Sequence, residues 1–212
     1  RLGVITTRGF RDGLIVGRGN RTQLYDIKAV RPPPLVERAR VLEVDERMTA
    51  TGEVHLPLNE DHVVTACGRL LDEGVEAIAI CFLHSYANPD HECRAADIVQ
   101  RALPNIPVSI SSDILPEYRE FERFSTTALN AYVGPKVSQY LGRLSDDLAK
   151  NGISAPLRIM GSNGGTWSAA AMSAEPVNAM LSGPAGGVTA SIGIAKLLEL
   201  PNIITYDMGG TS

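Results

Sequence analysis

The spacing of apolar residues changes period along this chain, and each change marks an element. Val4–Thr7 is short, β-branched and preceded by glycine, which reads as a strand. Phe10–Val16 reads as a short helix, and Gly17–Asn20 as a polar, glycine-rich loop. Arg31-Pro32-Pro33-Pro34 is a stiff spacer and the first module boundary on offer. Beyond it, Leu35–Val44 and Met48–Leu56 predict a β-hairpin, with Thr51-Gly52 near its turn or start. Asn59 can cap a helix from Glu60 to about Glu73, where Val63, Val64, Cys67, Leu70 and Leu71 recur at helical spacing; Gly74 stops it. Ala77–Leu83 is a nearly continuous apolar run, as expected of a strand buried on both faces. A helix opening at Asn88-Pro89 reaches Ala102, and Val108–Ser111 is the next strand. The alternation predicts a βαβ unit with parallel pairing.

From Tyr118 to about Lys150 the pattern is helical, interrupted around Gly134-Pro135 and closed by Asn151-Gly152. Leu157–Met160 reads as a strand running into Gly161-Ser162-Asn163-Gly164-Gly165. A helix from Pro184 to Leu198 follows, rich in small residues, and Ile203–Tyr206 reads as a last strand.

Composition changes this picture little. Hydrophobic content of 44% and charge of 21% are ordinary for a globular protein and exclude wholesale disorder. A net charge of −4 gives no reason to expect nucleic acid or an anionic membrane as partner. No apolar run approaches the roughly 20 residues that span a bilayer, and the opening residues lack a signal-peptide core. Cys67, Cys81 and Cys93 cannot all pair with one another and form no CxxC motif, so a reducing cytoplasm fits best. Cys81, inside an apolar run, reads as a buried free thiol. The chain opens on a strand and stops in a glycine-rich loop, so both ends read as boundaries cut within a longer protein.

The strongest chemical signal is that loop, Asp207-Met208-Gly209-Gly210-Thr211-Ser212. Glycines without Cβ atoms let successive backbone N–H groups close around a phosphate, and Thr211 or Ser212 can add a hydroxyl. Asp207 is placed to hold hydrated Mg²⁺ or orient water, since a carboxylate aimed at phosphate would repel it. The plain alternative is a tight turn after a strand. The preceding helix, Ser182-Gly183-Pro184-Ala185-Gly186-Gly187-Val188, carries glycines that each cost roughly 1 kcal/mol. Close backbone approach or a hinge would justify them; the alternative is a loop with helix only from Val188. Asn163 and Gly164, at a strand end, are candidates for contact with substrate. His84 and His91-Glu92 collect at a strand end and a helix start, but two histidines seven apart are poor metal spacing. Arg119, Glu120, Glu122 and Arg123 read as a solvated face of ion pairs. Cys93 lacks a nearby base in sequence.

Several segments resemble one family. Ile5-Thr6-Thr7-x-Gly9-Phe10-Arg11-Asp12 with Gly17-Arg18 and Asn20-Arg21 looks like a block of the hydantoinase A/oxoprolinase family. So do Leu83–Glu92, Glu117–Arg123 with Ser125-Thr126-Thr127 and Asn130-Ala131-Tyr132, and Ser162–Gly165. Ser182–Gly187 and Asp207–Ser212 complete the series in order, across essentially the whole chain. The resemblance implies an α/β, partial actin-like ATPase fold of the actin, sugar-kinase and heat-shock-chaperone superfamily, with an inserted α/β module. It implies a tail of the first lobe over 1–32, the insert over 33–115, a helical segment and last strand over 116–182, and a linking helix with a second phosphate loop over 183–212. It also implies ATP and Mg²⁺ as cofactors, with Asp207 as the catalytic and metal-linked residue and Gly209, Gly210, Thr211 and Ser212 on the phosphates. The activity implied is phosphorylation-coupled opening of a cyclic amide such as a hydantoin or 5-oxoproline, with a hydantoinase B-type partner subunit or domain. The family's first phosphate loop is absent from these residues, so the chain alone is expected to turn over no ATP. Two other readings stay open: a subunit of an acetone- or acetophenone-type carboxylase, and a nucleotide-switched binding protein.

Overall fold

The computed structural model describes residues 1–19, 25–29 and 33–209. They group into two compact units, Arg1–Pro135 and Lys136–Ser212.

The first unit is built on four parallel strands in the order β2-β1-β5-β6: β1 Leu2–Thr7, β2 Val41–Val44, β5 Ala77–Cys81 and β6 Val108–Ile110. Every residue of β1 and β5 is buried, and alternate side chains serve two cores. Ile5, Ile78 and Ile80 join Val63, Ala66, Cys67 and Leu70 of α2 (Glu60–Asp72) and Ala95, Ile98 and Val99 of α3 (Asp90–Ala102). On the opposite face Leu2, Val4, Ala77, Ala79 and Cys81 meet Phe124, Ala128 and Ala131 of α5 (Glu120–Lys150), with Leu14 of α1 (Gly13–Val16) packed beside them. A two-faced parallel sheet explains why Ala77–Leu83 carries no polar alternation. Full burial of Ile78 and Ile80 contributes roughly 1.5–3 kcal/mol each.

Local signals act as expected around α2. Asn59 Oδ1 accepts from the His62 N–H, and Gly74 ends the helix at φ +66°. The expected hairpin from Leu35 to Leu56 is not what forms. Val41–Val44 pairs in parallel with β1, because Val41 faces one core while Leu42 and Val44 face the other. The hairpin is the smaller pair β3 Arg47–Met48 and β4 Val54–Leu56, turned at Gly52 (φ +82°). One sheet thus draws β1 and β2 from the two sides of the proline spacer, of which Arg31 and Pro32 lie outside the described residues. A short helix, α4 Ser111–Ile114, follows β6. Helix α5 also departs from expectation. It runs unbroken through Pro135, where an interruption was expected. Proline removes one backbone bond, and buried residues hold each half, Phe124, Ala128 and Ala131 before it and Leu141 after it.

In the second unit, Gly152 (φ +77°) closes α5 by donating to Ala149 O, as the sequence requires. Strands β7 Arg158–Met160 and β8 Thr166–Ser168 pair antiparallel, so the Gly161–Gly165 segment is a hairpin turn. Ser168 then caps α6 (Ala169–Ala174), and α7 spans Ser182–Leu197, including the glycines at 183, 186 and 187. Only Gly186 has a close neighbour, Met160 at 3.6 Å from where a Cβ would lie; around Gly183, Gly187 and Gly193 there is open space among the described residues. The expected strand at Ile203–Tyr206 does not form: Ile204 and Tyr206 are exposed and no described strand pairs with them. Apolar β-branched residues cannot make a strand without a neighbour to take their backbone hydrogen bonds. Among the described residues no helix is long and apolar enough to cross a membrane.

Candidate functional site

Parallel strands deliver their carboxyl ends to one edge, and in the first unit that edge is densely polar. Thr7 closes β1; its hydroxyl donates to the buried Glu46 carboxylate and accepts from the Leu83 N–H at 2.9 Å. The other oxygen of Glu46 meets His91 Nδ1 at 2.8 Å. Beyond β5 and β6, Glu92 accepts from the Phe82 N–H (2.7 Å), the Ser111 hydroxyl (2.6 Å) and the Ser112 N–H (2.8 Å). Arg123, fully buried at the start of α5, donates to Ser111 Oγ (3.0 Å), Glu117 O (2.6 Å) and Phe82 O (2.8 Å). Its guanidinium also lies over the Tyr86 and Phe124 rings. Burial pushes the Glu92 carboxyl up, opposed by its hydrogen bonds, and lowers the Arg123 guanidinium, opposed by Glu92. A buried charge is tolerable only when so fully bonded.

His84 stands apart. It adopts a left-handed backbone, φ 60°, and its Nδ1 is buried without a hydrogen-bond partner. The Ser112 hydroxyl is the other such atom among the described residues; it lies beside the Glu92 carboxylate without a well-formed bond. Burial, Arg123 and Arg47 lower the His84 pKa, against the pull of Glu120 and Glu46.

The hairpin turn of the second unit holds Asn163 and Gly164. Asn163 Oδ1 accepts from the Gly165 N–H at 3.0 Å, and Gly164 (φ +78°) leaves so little room that a Cβ there would lie 2.6 Å from Thr189 Oγ1 of α7. Ser162 anchors the turn by donating to Asn178 O from both its N–H and hydroxyl. Asp207 and Gly209 lie in an exposed segment without regular structure, and Gly210, Thr211 and Ser212 fall outside the described residues. Asn163 and Gly164 are thus brought together, and no hydrogen bond or ion pair joins either to Asp207 among the described residues.

The weaker sequence candidates divide. His91 and Glu92 are buried and hydrogen-bonded in the interior. Arg123 does not belong to a solvated face: Glu122 pairs with Arg18 at the surface, while Arg123 turns inward. Desolvation and the carboxylates of Asp113, Glu92, Asp90 and Asp97 raise the pKa of the exposed Cys93 thiol, which disfavours its thiolate. Glu46 was missed; inside Asp45-Glu46-Arg47 it looks like an ordinary charged turn, and nothing local announces its burial.

Three of the motif segments therefore meet at one edge: Thr7 from the first, His84, His91 and Glu92 from the second, Arg123 from the third. The hydantoinase/oxoprolinase N-terminal region matches residues 1–103, and the hydantoinase/oxoprolinase region matches residues 123–212. The chain belongs to the hydantoinase/oxoprolinase family. It is 35% identical, over its whole length, to 31% of the caprolactamase subunit alpha of Pseudomonas jessenii. It is 31% identical over its length to 18% of the 5-oxoprolinase of Saccharomyces cerevisiae. Against the crystal structure of the ATP-dependent caprolactamase from Pseudomonas jessenii the TM-score is 0.89, with 34% identity over 99% of this chain and 31% of that one. Against the nucleotide-free structure of acetone carboxylase it is 0.83, with 33% identity over 93% of this chain and 29% of that one. The chain has part of the α/β, actin-like ATPase fold of the family. The chain spans less than a third of the length of these relatives.

Proposed function

We propose that this chain is part of an ATP-dependent cyclic-amide hydrolase, a hydantoinase or oxoprolinase in the broad sense. The observation that carries the reading is the likeness to the ATP-dependent caprolactamase over 99% of the chain, in sequence and in structure together. In this reading residues 1–182 belong to the first ATPase lobe with its α/β insert, and residues 183–212 begin the second. ATP would supply phosphorylation of the amide oxygen, which makes a poor electrophile attackable. Gly209, Gly210, Thr211 and Ser212 hold the phosphates through backbone N–H groups and hydroxyls, Asp207 orients Mg²⁺ or water, and Asn163 and Gly164 face substrate. Asp207 stands exposed, and its carboxylate is the ligand type that Mg²⁺ carried in with nucleotide would take. A hydantoinase B-type subunit or domain is the partner, in line with relatives that are themselves named as subunits. The free cysteines suit a cytoplasmic location.

A second reading, a ketone carboxylase subunit, draws on the likeness to acetone carboxylase. Assaying the full-length protein and its partner with hydantoins, 5-oxoproline, caprolactam, acetone and acetophenone separates the two. Ring opening that consumes ATP supports the first; ATP-dependent carboxylation of a ketone, with no ring opening, refutes it. In the active enzyme Asp207→Asn should cost about 3 kcal/mol in the transition state, roughly a hundredfold in rate. Turnover within about twofold of wild type at saturating Mg-ATP would remove Asp207 from the machinery.

A further inference from the structure

In the first unit, α2 and β2, the outermost strand of the sheet, border a depression of about 170 Å³ that is open to solvent on one side. None of its lining residues belongs to the buried network of Thr7, Glu46, Glu92 and Arg123. A cavity of about 150 Å³ is enough for benzene, so a small molecule of that order fits here. The floor is apolar, formed by the buried Leu42 and Ala66. The walls carry charge. His62, Ala66 and Arg69 recur at i, i+4 and i+7, so one face of α2 lines the depression, while Arg8 and Glu43 line it from the sheet. Arg8 is taken up by Asp45 at 2.6 Å, and the same carboxylate lies 3.5 Å from His62 Nδ1. Glu43 accepts the Gly9 N–H at 2.7 Å through one oxygen, and the other has no partner among the described residues. Arg38, a further cation acting on Glu43, is spent on Asp12 at 2.6 and 3.1 Å. Arg69 has neither an ion pair nor a hydrogen bond among the described residues. A guanidinium and a carboxylate thus line one depression, each with bonding capacity to spare.

We propose that this depression binds a zwitterionic amino acid, its carboxylate on Arg69, its ammonium on Glu43 and its methylenes on Leu42 and Ala66. An anion alone would meet Glu43 and Asp45, and a cation alone would meet Arg69 and Arg8. Only a ligand with both charges gives each wall its opposite. Arginine suits the carboxylate end, because its planar fork donates two parallel hydrogen bonds. Hydrolysis of a lactam adds water across the C–N bond and releases this class of molecule, with a carboxylate and an amine on one chain. The naming of the ligand as a reaction product rests on the hydrolase reading; the charges of the depression do not. None of these residues is among those assigned to nucleotide or substrate, so the depression is a second site, one that senses the product.

The test is calorimetric titration of the full-length protein, without nucleotide, with glycine, 4-aminobutyrate and 6-aminohexanoate. Hexanoate and hexylammonium at matched ionic strength are the single-charge controls. One amino acid of the series should bind saturably, and both controls at least about tenfold more weakly. Arg69→Gln should weaken that binding about tenfold or more, as should Glu43→Gln, which keeps an acceptor for the Gly9 N–H. Turnover of the protein's own substrate should be unchanged in both variants. Binding that survives both substitutions belongs to another site and overturns the proposal. So does hexanoate binding as tightly as the best amino acid, or no saturable heat up to about 10 mM. Binding that depends on both residues, in a protein that opens no lactam, would keep the site and refute the hydrolase reading instead.

Discussion

Replacing Arg123 by methionine keeps much of the buried apolar stem and removes the three hydrogen bonds that its guanidinium donates at the carboxyl edge of the first sheet. Three acceptors lose a partner. Glu117 O is only part-buried and can turn to water, and Ser111 Oγ keeps its bonds to Glu92 and Ser85. Phe82 O is the one left orphaned in the interior, at a cost of about 1–3 kcal/mol. The larger loss is the uncompensated charge of Glu92, which burial already disfavours and which Arg123 balances through Ser111. Breaking a buried charge network from one side costs about 3–5 kcal/mol, and we expect Arg123→Met to fall in that range. Against a total stability of about 5–15 kcal/mol this is large. Urea unfolding followed by far-ultraviolet circular dichroism measures the sum, and native-state hydrogen exchange at the Phe82 and Leu83 amides reads the edge directly. Arg119→Met, four residues earlier and exposed, is the control and should stay within about 0.5 kcal/mol of wild type. A loss below about 1 kcal/mol for Arg123→Met, or one no larger than the control, would refute the assignment of Arg123 as the counter-charge of this edge.

Other consequences follow from single contacts. Asn59→Ala removes the cap of α2 and should cost about 1 kcal/mol in urea unfolding; Asn59→Asp, which keeps an acceptor, should cost almost nothing. Gly164→Ala meets both a positive φ and Thr189 Oγ1, so it should destabilise the hairpin by about 1–2 kcal/mol or more; Thr189→Ala in the same chain should restore only part of this, and full restoration would show that φ is not strained. Acidification should weaken the fold through His84. Its folded pKa lies below the ordinary 6.5, so the unfolded chain takes up the proton first and stability falls as pH drops from about 6.5 through the lowered value. His84→Asn should flatten that part of the stability–pH curve, and an unchanged slope would exclude His84 as its source.

Much of the secondary structure follows from local chemistry. Asn59 and Gly74 bound α2, the unbroken apolar run of Ala77–Cys81 demands burial on two faces, and Gly152 can end α5 because only a residue at ease with positive φ closes a helix that way. Pattern alone did not choose partners. Val41–Val44 is as good a hairpin arm as a parallel strand, and it became the latter because β1 offered a two-sided core. Ile203–Tyr206 has the composition of a strand and forms none, since strand pairing is a property of two segments. The charged residues were the least legible. Arg119 and Arg123 sit in one short run of sequence, yet one is solvated and the other fully buried, and Glu46 carries no local mark of its burial. Sequence sets which residues can bear charge; the fold decides which of them lose water, because desolvation depends on what the rest of the chain brings around them.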